Sequence, residues 1–150
     1  MSKKIVVPVV VDTNIIVPSL YMQTHIFKFI LEGTFALCWN LFIYESEEII
    51  KRIGTYYEDR IGVSTGKVLQ LLPLIYDPSY RVPDMPDDWI RVTPDRDDDQ
   101  FVWAARRGGA EYIITEDHSH LLKLKKYRNI LIGRPADFFK WVKKAHPLRG

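Results

Sequence analysis

The feature that most restricts the fold is a continuous run of apolar, mostly β-branched residues from Ile5 to Val11. A strand with one face in water alternates apolar and polar residues, whereas this run contains no polar position. It is therefore typical of a strand buried on both faces, as in a parallel sheet covered by helices. Pro8 weakens the prediction for the first half of the run, because proline cannot donate a ladder hydrogen bond.

Segments with strand and helix patterns alternate along the rest of the chain. We predict further strands at Phe35–Trp39, Tyr112–Thr115 and Ile130–Ile132. We predict helices at about Leu20–Glu32, Phe42–Tyr57, Thr65–Ile75, Asp97–Gly109 and His118–Lys126, and a last helix from Pro135. The proline-containing stretch 78–96 is predicted to be a long connection with at most a short strand near Trp89. This order predicts a single α/β domain over residues 1–150, a three-layer α/β/α arrangement around a parallel sheet.

Composition excludes several classes of protein. With 47% apolar and 27% charged residues the chain is of an ordinary globular type rather than a disordered one. The single cysteine, Cys38, excludes an internal disulfide and a cysteine-based zinc site. No apolar run approaches the ~20 residues of a membrane span, and little room for a signal peptide precedes the first strand. We therefore expect a cytoplasmic protein without membrane contact.

The formal net charge of +2 hides an uneven distribution of charge. Residues 1–105 contain 10 basic and 15 acidic residues, whereas residues 106–150 contain 11 basic and 4 acidic ones. Seven of the 19 acidic residues lie between Asp84 and Asp99. Such a chain could bind a metal and a polyanion together, but solvated loops and helix faces account for the same counts.

Acidic residues follow or precede the predicted strands at several points. Asp12 comes directly after the first strand, Glu116 and Asp117 follow the Tyr112–Thr115 strand, and three aspartates open the helix before that strand. In open α/β sheets, ligands collect beyond the carboxyl ends of the strands. Clustered carboxylates repel one another, and oxygen ligands favour Mg²⁺ or Mn²⁺ over zinc. Such an ion is suited to phosphodiester chemistry.

Four motifs in this order resemble the PIN domain. They are VVVDTN at 9–14, the glutamate-rich helix from Glu45, DDQF at 98–101, and YIITED at 112–117, with ADFF at 136–139 resembling the closing helix. The nearest resemblance is to the VapC-related branch, toxin components of toxin–antitoxin systems. The resemblance implies a ribonuclease that uses Mg²⁺ or Mn²⁺ and a cluster of acids. It also implies an RNA substrate, a possible cognate antitoxin and a possible homodimer.

The same resemblance assigns roles by position. It implies that the catalytic and metal-binding acids are Asp12, Glu45, Asp98 and Asp117. It implies that Thr13, Asn14 and Thr115 support them, and Glu48, Asp97 and Asp99 are alternative acids. Where relatives often carry another acid after the fourth one, this chain has Ser119 and His120.

Other interpretations of these residues stay open. Asp12 and the 97–99 triplet could serve only as helix caps, and Glu45 could be a solvated helix residue. We expect the histidines and tryptophans to be packing or surface residues, and Arg106 and Arg107 to lie away from the chemistry. The alternative function is a weakly catalytic or non-catalytic PIN-like protein that binds RNA or an antitoxin.

Overall fold

The computed structural model describes residues 6–147. The strands are β1 (Val7–Val11), β2 (Phe35–Leu37), β3 (Tyr112–Ile114), β4 (Lys126–Tyr127) and β5 (Ile130–Gly133). The helices are α1 (Thr13–Met22), α2 (His25–Leu31), α3 (Leu41–Tyr44), α4 (Ser46–Ile61), α5 (Thr65–Ile75), α6 (Arg96–Gly108), α7 (Leu121–Leu124) and α8 (Pro135–Ala145). The predicted α/β fold is confirmed.

The five strands form one sheet in the order β2-β1-β3-β5-β4. The first four of these strands run parallel to one another, and Val9 of β1 pairs with Leu37 on one side and with Tyr112 on the other. The short strand β4 joins the edge in antiparallel orientation through Tyr127 and Ile130. The sheet is therefore mostly parallel, with one antiparallel edge strand that the sequence pattern did not indicate.

Helices cover both faces of this sheet, as the apolar run predicted. Val9, Val10 and Val11 are all fully buried, although successive side chains of a strand point to opposite faces. On one face the ring of Tyr112 lies 5.1 Å from that of Phe138 in α8. On the other face, α6 packs against the sheet and contacts β1 and β3.

Three predicted elements differ from the structure. The predicted helix Leu20–Glu32 is two helices: α1 begins at Thr13, because Asp12 caps it directly after β1, and it ends at Met22 before α2 begins at His25. The predicted helix Phe42–Tyr57 is two helices that meet at Glu45, whose ψ of 4° departs from helical geometry. The predicted helix His118–Lys126 is reduced to α7, since Lys125 adopts a left-handed conformation with φ of 61°.

The stretch 78–96 contains a single 3₁₀ turn (Pro78–Tyr80) and no strand at Trp89–Val92. Thr65–Ile75 is a helix with the predicted bounds. No helix within residues 6–147 has the length and apolar character needed to cross a membrane.

Candidate functional site

The carboxyl ends of β1 and β3 form a crevice at the point where the strand order reverses. The chain passes from β1 to β2 on one side, and β3 then pairs with β1 on the other side. The backbone N–H of Asp12 donates to the carbonyl of Ile114 at 2.9 Å, which holds the two strand ends together. Open α/β sheets bind ligands at such a reversal point.

Asp12 lies in this crevice with 4% of its surface exposed. One carboxylate oxygen accepts from the backbone N–H of Asn14 at 3.2 Å, and the hydroxyl of Thr13 lies 3.4 Å from the same oxygen. The other accepts from the hydroxyl of Thr115 at 2.8 Å. Burial raises the pKa of Asp12, although these hydrogen bonds oppose the shift. The carboxylate is thus fixed in place while its negative charge is poorly compensated.

Thr115 connects Asp12 to a second acid. Its hydroxyl oxygen accepts from the backbone N–H of Asp117 at 2.9 Å while it donates to Asp12. The carboxylate of Asp117 accepts from the backbone N–H groups of Ser119 and Leu121 at 3.1 and 3.0 Å. Burial acts to raise the pKa of Asp117, but the backbone hydrogen bonds outweigh it and the pKa is lowered. Asp117 therefore supplies a stable negative charge.

Asp98, in the first turn of α6, faces the same crevice. Its Oδ2 lies 2.5 Å from Nδ1 of His120. Burial, together with the charges of Asp117 and Asp95, raises the pKa of Asp98 to about 6, although His120 acts in the opposite direction. Asp95, Asp98 and His120 each offer a ligand atom, and these atoms lie within 4.8 Å of one another. This group could hold a metal ion.

The three aspartates at positions 97–99 have different environments. Asp99 is fully buried and accepts from Trp89 Nε1 at 2.8 Å and from the backbone N–H groups of Val92 and Thr93 at 2.9 and 3.0 Å. It therefore anchors the loop before α6 and does not line the crevice. Asp97 is exposed at the rim of the crevice.

Glu45 and Glu48 lie outside the group of residues that line this crevice. Glu45 is exposed at the junction of α3 and α4, and Phe42, one turn earlier, does line it. Glu48 is exposed, and its carboxylate lies 3.8 Å from Nζ of Lys51. The structure thus brings Asp12, Asp98 and Asp117 together, but it does not bring either glutamate into the cavity.

The crevice is a cavity of about 330 Å³. Its lining residues are Asp12, Thr13, Asn14, Phe42, Asp95, Asp97, Asp98, Phe101, Asp117, Ser119 and His120. Carboxylates from three separate segments supply the hard oxygen ligands that suit Mg²⁺ or Mn²⁺, and His120 adds one imidazole nitrogen. Burial first, and then the neighbouring charges of Asp117 and Asp95, raise the pKa of Asp98, and a bound cation would offset these effects.

Residues 8–119, about three quarters of the chain, match the model of the PIN domain. This chain belongs to the PIN domain family. PIN domains are generally nucleases, and PIN nucleases use divalent metal ions. No curated protein and no solved structure matches the chain at a significant level.

Two residues of this PIN-domain crevice were missed from the sequence. Asp95 caps α6 by accepting from the backbone N–H of Asp97 at 2.9 Å, and it lies two positions before the predicted start of that helix. A Pro-Asp pair before a helix is a capping pattern that could have indicated Asp95. His120 was expected to be a packing or surface residue. The one signal was that His120 stands where relatives often carry another acid, but the sequence does not show that the turn after β3 directs it toward Asp98.

Proposed function

We propose that this protein is a metal-dependent endoribonuclease and the toxin of a toxin–antitoxin pair. The single observation that carries the proposal is that Asp12, Asp98 and Asp117, from three distant segments, line one cavity at the strand-order reversal of a PIN domain. Carboxylates that share one cavity are suited to bind a divalent ion next to a phosphodiester.

In this proposal Asp12, Asp98 and Asp117 hold one or two Mg²⁺ or Mn²⁺ ions. When bound, the ion polarises the phosphodiester, lowers the pKa of a water molecule and offsets charge on the leaving oxygen. Thr115 orients the Asp12 carboxylate, with Thr13 and Asn14 limiting its rotation.

Further residues have proposed roles at the edge of this site. His120, whose Nδ1 lies 2.5 Å from Asp98, is placed to hold or accept a proton there. The assignment of Glu45 as the second acid rests on the family resemblance alone, because its side chain is exposed outside the cavity.

The proposed substrate and partners follow from the family and from charge. RNA is the expected polyanion, since residues 106–150 contain 11 basic and only 4 acidic residues. An antitoxin and a second copy of the chain are the proposed protein partners. A short reading frame beside the gene, encoding a protein with a DNA-binding pattern, would support the toxin role.

Cleavage of single-stranded RNA with and without Mn²⁺ tests the nuclease proposal. The wild-type protein is expected to cut only with the metal, and Asp12→Asn is expected to lose the activity while remaining folded. Asp59→Asn is the matched control, because Asp59 is an exposed acid of α4 outside the cavity. Unchanged Mn²⁺-dependent cleavage by Asp12→Asn would show that the first ligand is wrongly assigned.

The contact between His120 and Asp98 favours one alternative, a PIN domain that binds RNA or an antitoxin but cuts poorly. The imidazole of His120 contacts the Asp98 carboxylate, and His120 stands where relatives often have a further acid. Calorimetric titration with Mn²⁺ separates the two functions. A nuclease must bind the ion, and a chain that shows no binding while retaining RNA affinity would support the alternative.

A further inference from the structure

Aromatic and arginine side chains form a second concave surface away from the acids. We call it the aromatic–arginine surface, and its defining residues are Trp89, Trp103, Tyr127, Arg106, Arg107 and Arg128. These residues come from the loop before α6, from α6 itself and from the β4–β5 hairpin. They line a cavity of about 610 Å³, and Ile90, which also lines it, is 85% exposed. No part of residues 6–147 covers the outer side of that isoleucine.

The aromatic rings of this surface are held in fixed positions. Trp89 and Trp103 meet edge to face with centroids 5.6 Å apart, and Tyr127 lies 6.3 Å from Trp89. The indole N–H of Trp89 donates to Asp99 at 2.8 Å, and that of Trp103 donates to the carbonyl of Pro83 at 2.7 Å. Rings that are already ordered lose little entropy when a flat ligand packs against them.

The arginines of this surface are not neutralised by acids. The guanidinium carbon of Arg106 lies 5.6 Å from the centroid of Trp89, and that of Arg128 lies 5.6 Å from the centroid of Tyr127. Within the described part of the chain, no salt bridge involves Arg106, Arg107 or Arg128. Among the described residues, Asp88 is the one acid that lines the cavity. The surface therefore presents a net positive charge beside aromatic rings.

We propose that the aromatic–arginine surface binds unpaired RNA, with bases packed on the rings and phosphates paired with the arginines. Ordered aromatics beside a positive groove are the combination that binds single strands, whose bases each offer a flat face. The proposal names a binding site for the substrate of the proposed nuclease and rests on that function. Arg106 lies eight residues after Asp98 in α6, about 12 Å along the helix axis. The surface would thus hold a part of the strand outside the bond that is cut.

The test measures binding without cleavage. A fluorescein-labelled RNA of about 12 uridines, which cannot form Watson–Crick pairs with itself, is titrated in EDTA. Binding is followed by anisotropy at several salt concentrations between about 50 and 200 mM. Arg106→Gln and Arg128→Gly are compared with the wild type. Arg60→Gln is the matched control, since Arg60 also lies over a tyrosine, 3.9 Å from the Tyr56 ring, but outside this cavity.

Arg106→Gln and Arg128→Gly are each expected to weaken RNA binding. Each is also expected to reduce the slope of log affinity against log salt by about 0.7 for each phosphate that is no longer neutralised. Tyr127→Leu is expected to weaken binding roughly 5- to 150-fold, as for loss of one stacked base. A hairpin duplex of equal length is expected to bind less tightly than the single strand. Arg60→Gln is expected to bind as the wild type does.

Arg128→Gly separates lost binding from lost folding. Arg128 has φ of 55°, a conformation that glycine adopts without steric cost, so the variant is expected to keep its melting temperature. Equal RNA affinity and salt slope for the wild type and all surface variants would overturn the proposal. That result would favour a protein as the partner of this surface. It would leave the metal-dependent cleavage test of the nuclease proposal unaffected. Conversely, RNA binding that depends on these residues in a chain that never cuts would refute only the nuclease proposal.

Discussion

Replacement of Thr115 by valine removes one hydroxyl group from the centre of the site and leaves the side-chain shape nearly unchanged. That hydroxyl donates to buried Asp12 at 2.8 Å and accepts from the backbone N–H of Asp117 at 2.9 Å. Loss of a hydrogen bond to a charged group costs about 1.5–3 kcal/mol, and loss of the neutral one about 0.5–1.5 kcal/mol. We therefore expect Thr115→Val to lower the free energy of unfolding by about 2–4 kcal/mol.

For a chain of this length that loss corresponds to a fall of about 6–12 °C in melting temperature. It is measured by circular dichroism in EDTA at about pH 7.5. Thr115→Ser is the control, since it keeps the hydroxyl and loses only a methyl group. Valine is also expected to weaken Mn²⁺ binding about 10–100-fold, because Asp12 loses the group that orients it.

The serine and valine variants together decide whether the hydroxyl matters. Equal melting temperatures and equal Mn²⁺ affinities for the two would refute the reasoning, since it assigns both losses to Oγ1. A loss of stability without a loss of metal affinity would limit Thr115 to a structural role. That result would remove the argument that Asp12 must be oriented to bind the ion.

Three other substitutions and one change of condition test the assignment of the acids. In urea denaturation, Asp99→Asn is expected to lower the free energy of unfolding by about 2–4 kcal/mol. Asp97 is exposed, so Asp97→Asn is expected to change that free energy by less than about 0.5 kcal/mol. Similar effects of the two substitutions would contradict the distinction between these aspartates. Asp12→Asn is expected to raise the melting temperature of the metal-free protein, because burial disfavours the charged acid. A lower melting temperature would show that the buried charge does not destabilise the protein. The pKa of Asp98 is about 6, so calorimetric Mn²⁺ affinity is expected to fall about tenfold per pH unit below pH 6 and level off above it; an affinity independent of pH would exclude Asp98 as a ligand.

Elements with a strong local pattern were predictable from the sequence. β1 is an unbroken apolar run, and α5 has an apolar face bounded by Thr65 and by the Asp77-Pro78 pair, so the structure has a strand and a helix where the prediction placed them. The strand begins at Val7, and Ile5 of the predicted run lies outside the described residues. The start of α1 was missed because β-branched residues and Pro18 follow Asp12, and neither favours a helix. The edge strand β4 depends on pairing with β5, which a local pattern cannot indicate.

The residues of the candidate site also fall into those that the sequence could predict and those that it could not. Asp12, Asp98 and Asp117 are tied to the ends of regular elements, so their convergence could be anticipated from the order of strands and helices. Asp99 could not be separated from its neighbours by sequence, because only the folded loop shows that it bonds Trp89 and Thr93. His120 depends on the conformation of an irregular turn, and the position of Glu45 depends on the break between α3 and α4.

The hydrogen bond between Thr115 and Asp12 joins residues 103 positions apart in the sequence. During synthesis the N-terminal strand emerges first, at about 5–20 residues per second. Asp12 is thus made 103 residues before its partner, and β1 before the neighbouring strand β3. The crevice can form only after the chain has been made beyond Thr115, so a nascent or truncated chain lacks a complete site.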